Sequence, residues 1–274
     1  MRFVKIEGAG NDYVLVETFG QRVGDPAALS RAVSDRHRGI GSDGLILVGP
    51  PDAPGAHARM RMFNADGSEG LLCGNGLRCV VRWLATEGRA PAADVAVQTA
   101  AGPRRGRVLD DGTVEVELGE PRWTRAALGL PGEGDCELPV PPALHADPDV
   151  AFGVSLGNPH LVVRVPAPDA ADLRAAGAAL ESAVPAGANV HLLAVRAPDA
   201  LEVRPWERGS GATQACGTGA GACAVVARRM GWVRAARVRV QMPGGALFVR
   251  WDGAGPAWLA GPANLPFRGE WPVP

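Results

Sequence analysis

Two cysteines in matching settings are the residues of this chain best suited to chemistry. Cys73 opens Cys-Gly-Asn-Gly and Cys216 opens Cys-Gly-Thr-Gly, and each motif leads into a mostly apolar run ending in glycine, at Gly88 and Gly231. Nine residues before each cysteine stands a polar residue, Asn64 or Glu207, and the two stretches keep an offset of 143 throughout. A thiol at a helix N-terminus ionises more readily, because unpaired N–H groups and the helix dipole stabilise the thiolate. Gly74, Gly76, Gly217 and Gly219 allow close backbone approach, and the same N–H groups can hold a carboxylate. Two such mouths on one ligand would grip an anionic group and stabilise the enolate-like charge formed when the adjacent carbon loses its proton. One thiolate removes that proton and a thiol on the opposite face returns one, which is stereoinversion by two bases without a cofactor. An isolated cysteine is more often a core residue; duplication in the same loop is what sets Cys73 and Cys216 apart. Cys79 and Cys223, inside the helices, and Cys136, in a connector rich in Pro and Gly, are read as structural.

Polar residues recur around these thiols. Asn11 and Asn158 end equivalent turns at an offset of 147, and Asn189 sits in a Gly-Ala-Asn loop over Asp43 at 146. Each of these is as readily a turn former as a ligand. Glu207 with Arg208 could meet an ammonium and a carboxylate, the alternative being a solvated surface pair. His160, after Asn158-Pro159, could position or polarise a substrate group or be a structural histidine. His37, His57, His145 and His191 show no metal-ligand spacing, so no metal is expected. Lys5, the only lysine, lies in the first expected strand, which argues against a pyridoxal phosphate Schiff base. No cofactor is expected.

The elements that must position these residues repeat as well. FVKI (3–6) and YVLVE (13–17) read as strands with Asn11 in the turn between them. Residues 25–37 read as a helix, with Asp25 as N-cap and Pro26 in the first turn. A strand at 45–49 follows, then 58–64, where Arg59 and Arg61 alternate with Met60 and Met62 and deliver Asn64 to the loop before Cys73. Residues 155–163, 168–184, 187–193 and 201–208 repeat this order beyond a connector at 120–150. Two units of this size indicate a duplicated α/β domain; a solenoid needs at least three repeats. Both central helices are apolar nearly all round and therefore buried, which implies a sheet or barrel wrapped around each. The tail ANLPFRGEWPVP has no counterpart in the repeat and is expected to pack on the first half.

Composition limits the class. The chain has 274 residues, a net charge of −1 and 46 % apolar residues, so a broad nucleic-acid footprint is not expected. No run approaches the roughly 18 apolar residues of a membrane span, and the N-terminus lacks a signal-peptide pattern. Five cysteines without a CxxC pair argue against a disulfide framework or zinc ribbon. A soluble cytoplasmic protein is expected.

Laid out this way, FVKIEGAGNDYV, RHRGIGSDGLILV, FNADGSEGLLCGNGLRC, GNPHLV, GANVH and ERGSGATQACGTGAGACA make the chain closely resemble the diaminopimelate epimerases over almost its whole length. The resemblance implies a cofactor-independent isomerase that interconverts LL- and meso-2,6-diaminopimelate in lysine and peptidoglycan biosynthesis. It implies an α/β (α+β) fold of two pseudo-symmetric domains, each a mixed, β-barrel-like sheet around a central helix, with the site between them. The expected domains are 1–118 with the tail 263–274, and 119–262. Carried over by motif, Cys73 and Cys216 are the acid/base pair, supported by His160 and Glu207. Gly74, Asn75, Gly217 and Thr218 hold the reacting carboxylate, and Asn11, Asn64, Asn158, Asn189, Glu207 and Arg208 bind the rest of the substrate. Two positions depart from the pattern: Gly44 stands where some members place a substrate-touching side chain, and Ala212 where the second motif often has Glu. A homodimer acting on a small-molecule substrate, with no nucleic-acid or membrane partner, completes the expectation. Racemases of the same fold acting on proline-type or phenazine-precursor substrates, and a silent amino-acid-binding or redox-sensing protein, are the alternatives.

Overall fold

Runs of β-branched and aromatic residues build the first strands. In the computed structural model, which describes residues 1–52, 54–70 and 72–272, β1 (Arg2–Gly8) and β2 (Asn11–Glu17) pair antiparallel with Gly8 opposite Asn11. Their connection is only Ala9 and Gly10, both at positive φ (57° and 82°), as a two-residue hairpin turn requires. Asn11 is therefore the first residue of β2, and the expectation that it sits in the turn is corrected. The chain divides into two compact units, one running to residue 117 and resumed from 260 on, the other 118–259.

In the first unit, α1 (Pro26–Ser34) starts where Asp25 accepts from the Ala27 and Ala28 N–H groups. It ends three residues before the expected position 37, because the Asp35 side chain accepts from the His37 and Arg38 N–H groups and closes a turn there. β3 (Gly44–Gly49) runs parallel to β2, with α1 as the crossover. It is buried on both faces: Leu45 and Leu47 join Val33 and Phe63 in the core under α1, and Ile46 faces the other way. β4 (Ala58–Asn64) lies antiparallel to β3, and β5 (Glu69–Gly70) pairs with β4. α2 (Gly74–Thr86) then crosses over to β6 (Val95–Thr99), parallel to β4. β7 (Gly102–Val108) and β8 (Val114–Gly119) continue antiparallel. Buried α2 packs on β1, β2, β6 and β7.

The second unit repeats this plan after a connector holding β9 (Glu137–Pro139) and two 3-10 turns, Arg125–Leu128 and Pro142–Leu144. β10 (Val150–Ser155) and β11 (Pro159–Arg164) are antiparallel, and α3 (Leu173–Ser182) crosses over to β12 (Asn189–Ala197), parallel to β11. β13 (Ala200–Glu207) pairs antiparallel with β12 and with β14 (Gly211–Ala212). α4 (Gly217–Arg229) crosses over to β15 (Arg237–Met242), parallel to β13, and β16 (Gly245–Arg250) folds back on β15. β17 (Ala257–Gly261) follows. Gly217 to Ala227 are buried throughout, and α4 packs on β10 to β13, β15 and β16. The tail then pairs as β18 (Asn264–Glu270) with β1 in the first unit; residues 273 and 274 lie outside the described residues. The mixed α/β architecture and its internal duplication are those expected from the repeat. Among the described residues no helix is long and apolar enough to cross a membrane.

Sheet register also revises one equivalence. Tyr13 is opposite Gly44 in the first unit as His160 is opposite Asn189 in the second. Asn189 therefore corresponds to Gly44 and not, as its offset of 146 implied, to Asp43.

Candidate active site

Cys73 is the N-cap of α2, with the extended backbone (φ −124°, ψ 115°) that points its side chain back over the first turn. The Gly76 N–H donates to its sulfur at 3.3 Å, and the Tyr13 phenol donates at 3.3 Å. The Cys73 S–H also donates to the Asn11 side-chain oxygen at 3.4 Å. Asn11 is held in that orientation because its amide donates to Asp43 at 2.6 Å, and Asp43 is in turn bound by Arg36. Asn64, at the exposed end of β4, donates its amide to Ser68.

Gly74 and Asn75 begin α2, where the first N–H groups have no intrahelical partner. The Asn75 side chain is turned inward, and its oxygen accepts from Arg78 at 2.9 Å. Arg78 is fully buried, donates to the Pro262 carbonyl, and leaves Nη2 without a partner. Burial pushes its pKa down, against the pull of Cys79, Cys73 and Glu7.

Cys216 caps α4 with nearly the same backbone (φ −128°, ψ 110°) but makes no capping hydrogen bond through its sulfur. Burial, followed by repulsion and hydrogen bonding from Glu207, pushes this thiol well up; Gly219 and Thr218 pull the other way. The expectation of two readily ionised thiols is thus corrected for Cys216. The helix mouth is present, but the sulfur is withdrawn from water beside a carboxylate. Thr213 donates to Glu207 at 2.7 Å. The Thr218 hydroxyl lies 3.7 Å from the Cys216 sulfur and accepts from the Asn158 amide at 3.4 Å. The Asn158 oxygen meets His160 Nε2 at 3.0 Å, and His160 Nδ1 meets His191 Nε2 at 2.9 Å.

Asn189 donates to the Pro159 carbonyl and accepts the Arg208 N–H at 3.0 Å, while the Arg208 guanidinium donates to the Ala186 carbonyl. Glu181 anchors this corner from α3, accepting from the Trp206 indole and the Gly209 N–H.

Each unit therefore gathers its own share of the expected residues. Asn11, Gly74 and Asn75 lie at the Cys73 mouth, while Asn64 stands at the end of β4 against Ser68; Asn158, His160, Glu207, Gly217 and Thr218 lie around Cys216, with Asn189 and Arg208 beside them. Sequence reasoning missed Tyr13, Arg78, His191, Thr213 and Glu181. Only Tyr13 left a usable signal, since it stands two residues after Asn11 as His160 does after Asn158. At Gly44, a Cβ would lie 2.1 Å from the Phe63 carbonyl oxygen, so the backbone itself occupies the space a side chain would need. Lys5 is buried in an ion pair with Asp12. Cys79 is pushed up to about 12 by burial, and Cys223 is also pushed up by burial; both are core residues.

The sequence pattern of the family described as diaminopimelate epimerase matches residues 3–124 and 152–266. A diaminopimelate epimerase of Desulforudis audaxviator is 44 % identical over 280 aligned residues, covering 99 % of both chains. One from Pelotomaculum thermopropionicum is 39 % identical with the same coverage. Among solved structures, a PhzF-family phenazine biosynthesis protein of Bacillus anthracis superposes with a TM-score of 0.72 at 16 % identity, covering 100 % of this chain and 99 % of its own. A hydroxyproline epimerase of Agrobacterium vitis does so with a TM-score of 0.67 at 16 % identity, over 98 % and 91 %; at such identities the likeness concerns the fold. With both halves of the sequence matched and full-length relatives this similar, the chain belongs to the diaminopimelate epimerase family.

Proposed function

We propose that this chain interconverts LL- and meso-2,6-diaminopimelate, with Cys73 and Cys216 acting from opposite faces of one Cα. The observation that carries the reading is the duplicated N-cap: a cysteine before Gly-x-Gly at the mouth of a buried helix, once in each half. The first N–H groups of the two helices, at Gly74 and Asn75 and at Gly217 and Thr218, hold the reacting carboxylate and the charge that develops on it. Cys73, whose sulfur accepts from Tyr13 and the Gly76 N–H, is the base. Cys216, buried against Glu207, is the acid.

When the Cys73 thiolate takes the α-hydrogen as a proton, an S–H bond forms and the C–H electron pair moves toward the carboxylate. The Cys216 S–H bond then breaks, and its proton is delivered to the opposite face of the carbon. The centre is inverted and the two thiols have exchanged protonation states. The opposite isomer runs the steps in reverse, or solvent exchange resets the pair. Glu207, held by Thr213, keeps the proton on Cys216 until the carbanion forms, and His160 acts on this side through Asn158. Arg208, with Asn64 and Asn189, reads the distal amino-acid centre. Fixed partners discriminate strongly, because a ligand lacking the matching group leaves them buried and unpaired. The same reading makes the enzyme a cytoplasmic homodimer supplying lysine and peptidoglycan synthesis.

Reduced protein is incubated with LL-diaminopimelate in D2O, without added cofactor. Deuterium entering at Cα while the meso isomer accumulates is the expected result. Binding without exchange would sink the catalytic reading and leave an amino-acid-binding protein.

A further inference from the structure

We propose that His191 is a positioning residue of the Cys216 half-site: it fixes the tautomer of His160 and thereby orients Asn158 and Thr218 toward the Cys216 sulfur. The inference rests on the reading of Cys216 as an acid/base group.

The duplication makes His191 conspicuous. In the first unit Leu15 of β2 is opposite Ile46 of β3, and in the second Val162 of β11 is opposite His191 of β12. A Cβ on Gly76 would strike the Ile46 side chain at 2.6 Å, and one on Gly219 would strike the His191 ring at 2.3 Å. The same slot under the helix mouth thus holds an aliphatic side chain in one half and an imidazole in the other. His191 is fully buried, and its Nδ1 has no partner. A polar ring in such a slot needs a compensating bond, and that bond is the one to His160 at 2.9 Å, the two ring centroids lying 5.2 Å apart.

Tautomers follow by elimination. Burial pushes both histidines down, His191 to about 3 and His160 well below its usual value, so each ring carries one N–H. His160 Nε2 faces the Asn158 oxygen at 3.0 Å and therefore donates. His160 Nδ1 then accepts, and His191 Nε2 must be the donor. This leaves His191 Nδ1 as a bare acceptor, which is better tolerated when buried than an orphaned N–H. The Asn158 amide is directed to Thr218, and the Thr218 hydroxyl is free to donate to the sulfur. Each bond in the series sets the orientation of the next. Reversing the first would put the only N–H of His191 on the nitrogen that has no partner.

The experiment is long-range 1H–15N NMR of the histidine side chains in the unmodified protein and in His191→Phe and His191→Gln. Gln can place an amide donor near the position of imidazole Nε2, whereas Phe has no donor. The unmodified protein should show His160 as a single Nε2–H tautomer. His191→Phe should show mixed tautomers and a kcat lower by roughly tenfold, as expected for one lost buried hydrogen bond, with KM little changed. His191→Gln should recover most of both. A His160 protonated at Nδ1 in the unmodified protein overturns the inference, whether or not either variant folds. So does a folded His191→Phe with unchanged His160 signals and unchanged kcat. If the unmodified protein exchanges no Cα hydrogen, the functional reading fails separately, and the tautomer spectrum still decides the relay.

Discussion

Gly219→Ala and Gly76→Ala are the same change at duplicated positions, yet the structure assigns them different outcomes. At Gly219 the new Cβ lies 2.3, 2.7 and 3.0 Å from three atoms of the His191 ring. Normal carbon contacts begin near 3.5 Å, so the ring must retreat by about 1 Å. A shift of that size strains or breaks its 2.9 Å bond to His160. Overpacking costs about 1–3 kcal/mol, and leaving a buried polar group unsatisfied costs a further 1–3 or so. Replacing Gly by Ala inside a helix returns only about 1 kcal/mol. The balance is a loss of roughly 3 kcal/mol, or a fall in Tm of about 10 °C for a unit of this size. At Gly76 the obstacle is Ile46 Cδ1 at 2.6 Å, with Met60 Cε at 3.4 Å. Both are ends of flexible side chains with no hydrogen bond to lose, so a packing cost of about 1 kcal/mol is offset by a similar helix gain. Thermal and urea unfolding of the two variants measures the contrast. A double-mutant cycle with His191→Ala locates it, since the Gly219→Ala penalty should largely vanish in that background. Equal stability of Gly219→Ala and Gly76→Ala would refute the reasoning.

Three further outcomes are expected. Cys73→Ala and Cys216→Ala should each abolish epimerisation while remaining folded, whereas Cys79→Ala and Cys223→Ala should affect mainly stability; turnover assays paired with melting curves separate the classes, and full activity in Cys73→Ala would undo the assignment. Tyr13→Phe keeps the buried ring and removes one donor from the Cys73 sulfur, so alkylation of Cys73 by iodoacetamide at neutral pH should slow roughly fivefold, by the worth of one hydrogen bond; an unchanged rate in peptide-mapped kinetics would show that the phenol has no part in activating the thiol. Acid should destabilise the protein through its buried histidines. His191, pushed down to about 3 by burial, stays neutral where the unfolded chain takes up a proton. Its contribution is therefore complete above about pH 6.5 and is lost as the pH falls toward 3, amounting to about 2 kcal/mol between pH 6.5 and 5. His160, lowered by burial, His191 and Arg208, acts in the same direction. Urea unfolding at pH 7.5 and 5.0 should show a smaller acid loss in His191→Gln, and an identical loss would contradict the pairing.

Much of the fold was legible because duplication doubles every signal. The offset of 143 aligned the two helix mouths, and the period-2 pattern of Arg59 to Met62 identified β4 with Asn64 at its end. What escaped was information carried by register and burial. An offset counted along the chain placed Asn189 over Asp43; only the pairing of β11 with β12, and of β2 with β3, shows that Gly44 is its counterpart. The sequence alone puts Asn11 in a turn, because nothing in it marks Ala9, a non-glycine residue, for the positive φ that closes the connection in two residues. The mouth of a helix predicts an acidic thiol, and at Cys216 that local rule is overridden by desolvation and by Glu207, which are tertiary effects. Arg78 was invisible for a related reason. A basic residue in an apolar helix reads as an exposed position, yet this guanidinium is fully buried and bound to Asn75 and the Pro262 carbonyl.

The two half-sites share a backbone and differ in the chemistry hung on it. At equivalent positions the first has Tyr13, Ile46 and Gly76, and the second has His160, His191 and Gly219. A tyrosine is long enough to reach the sulfur itself, and it needs nothing beneath it but an aliphatic side chain. An imidazole at the same strand position is shorter: it meets Asn158, which meets Thr218, and only the threonine reaches Cys216. A relay of that kind orients its last hydroxyl only if its first member is fixed, and the fixing residue must then be polar and buried, which is what His191 is. A two-base epimerase working from opposite faces also needs one thiol charged and one protonated at the start of each turnover. In the proposed mechanism the Glu207 carboxylate beside Cys216 favours the protonated thiol there, which fits the acid role on that side. Exchanging Ile46 and His191 between the halves should therefore cost more activity than either residue's packing would imply, because it removes the anchor of one relay and places an unpartnered imidazole under the other mouth.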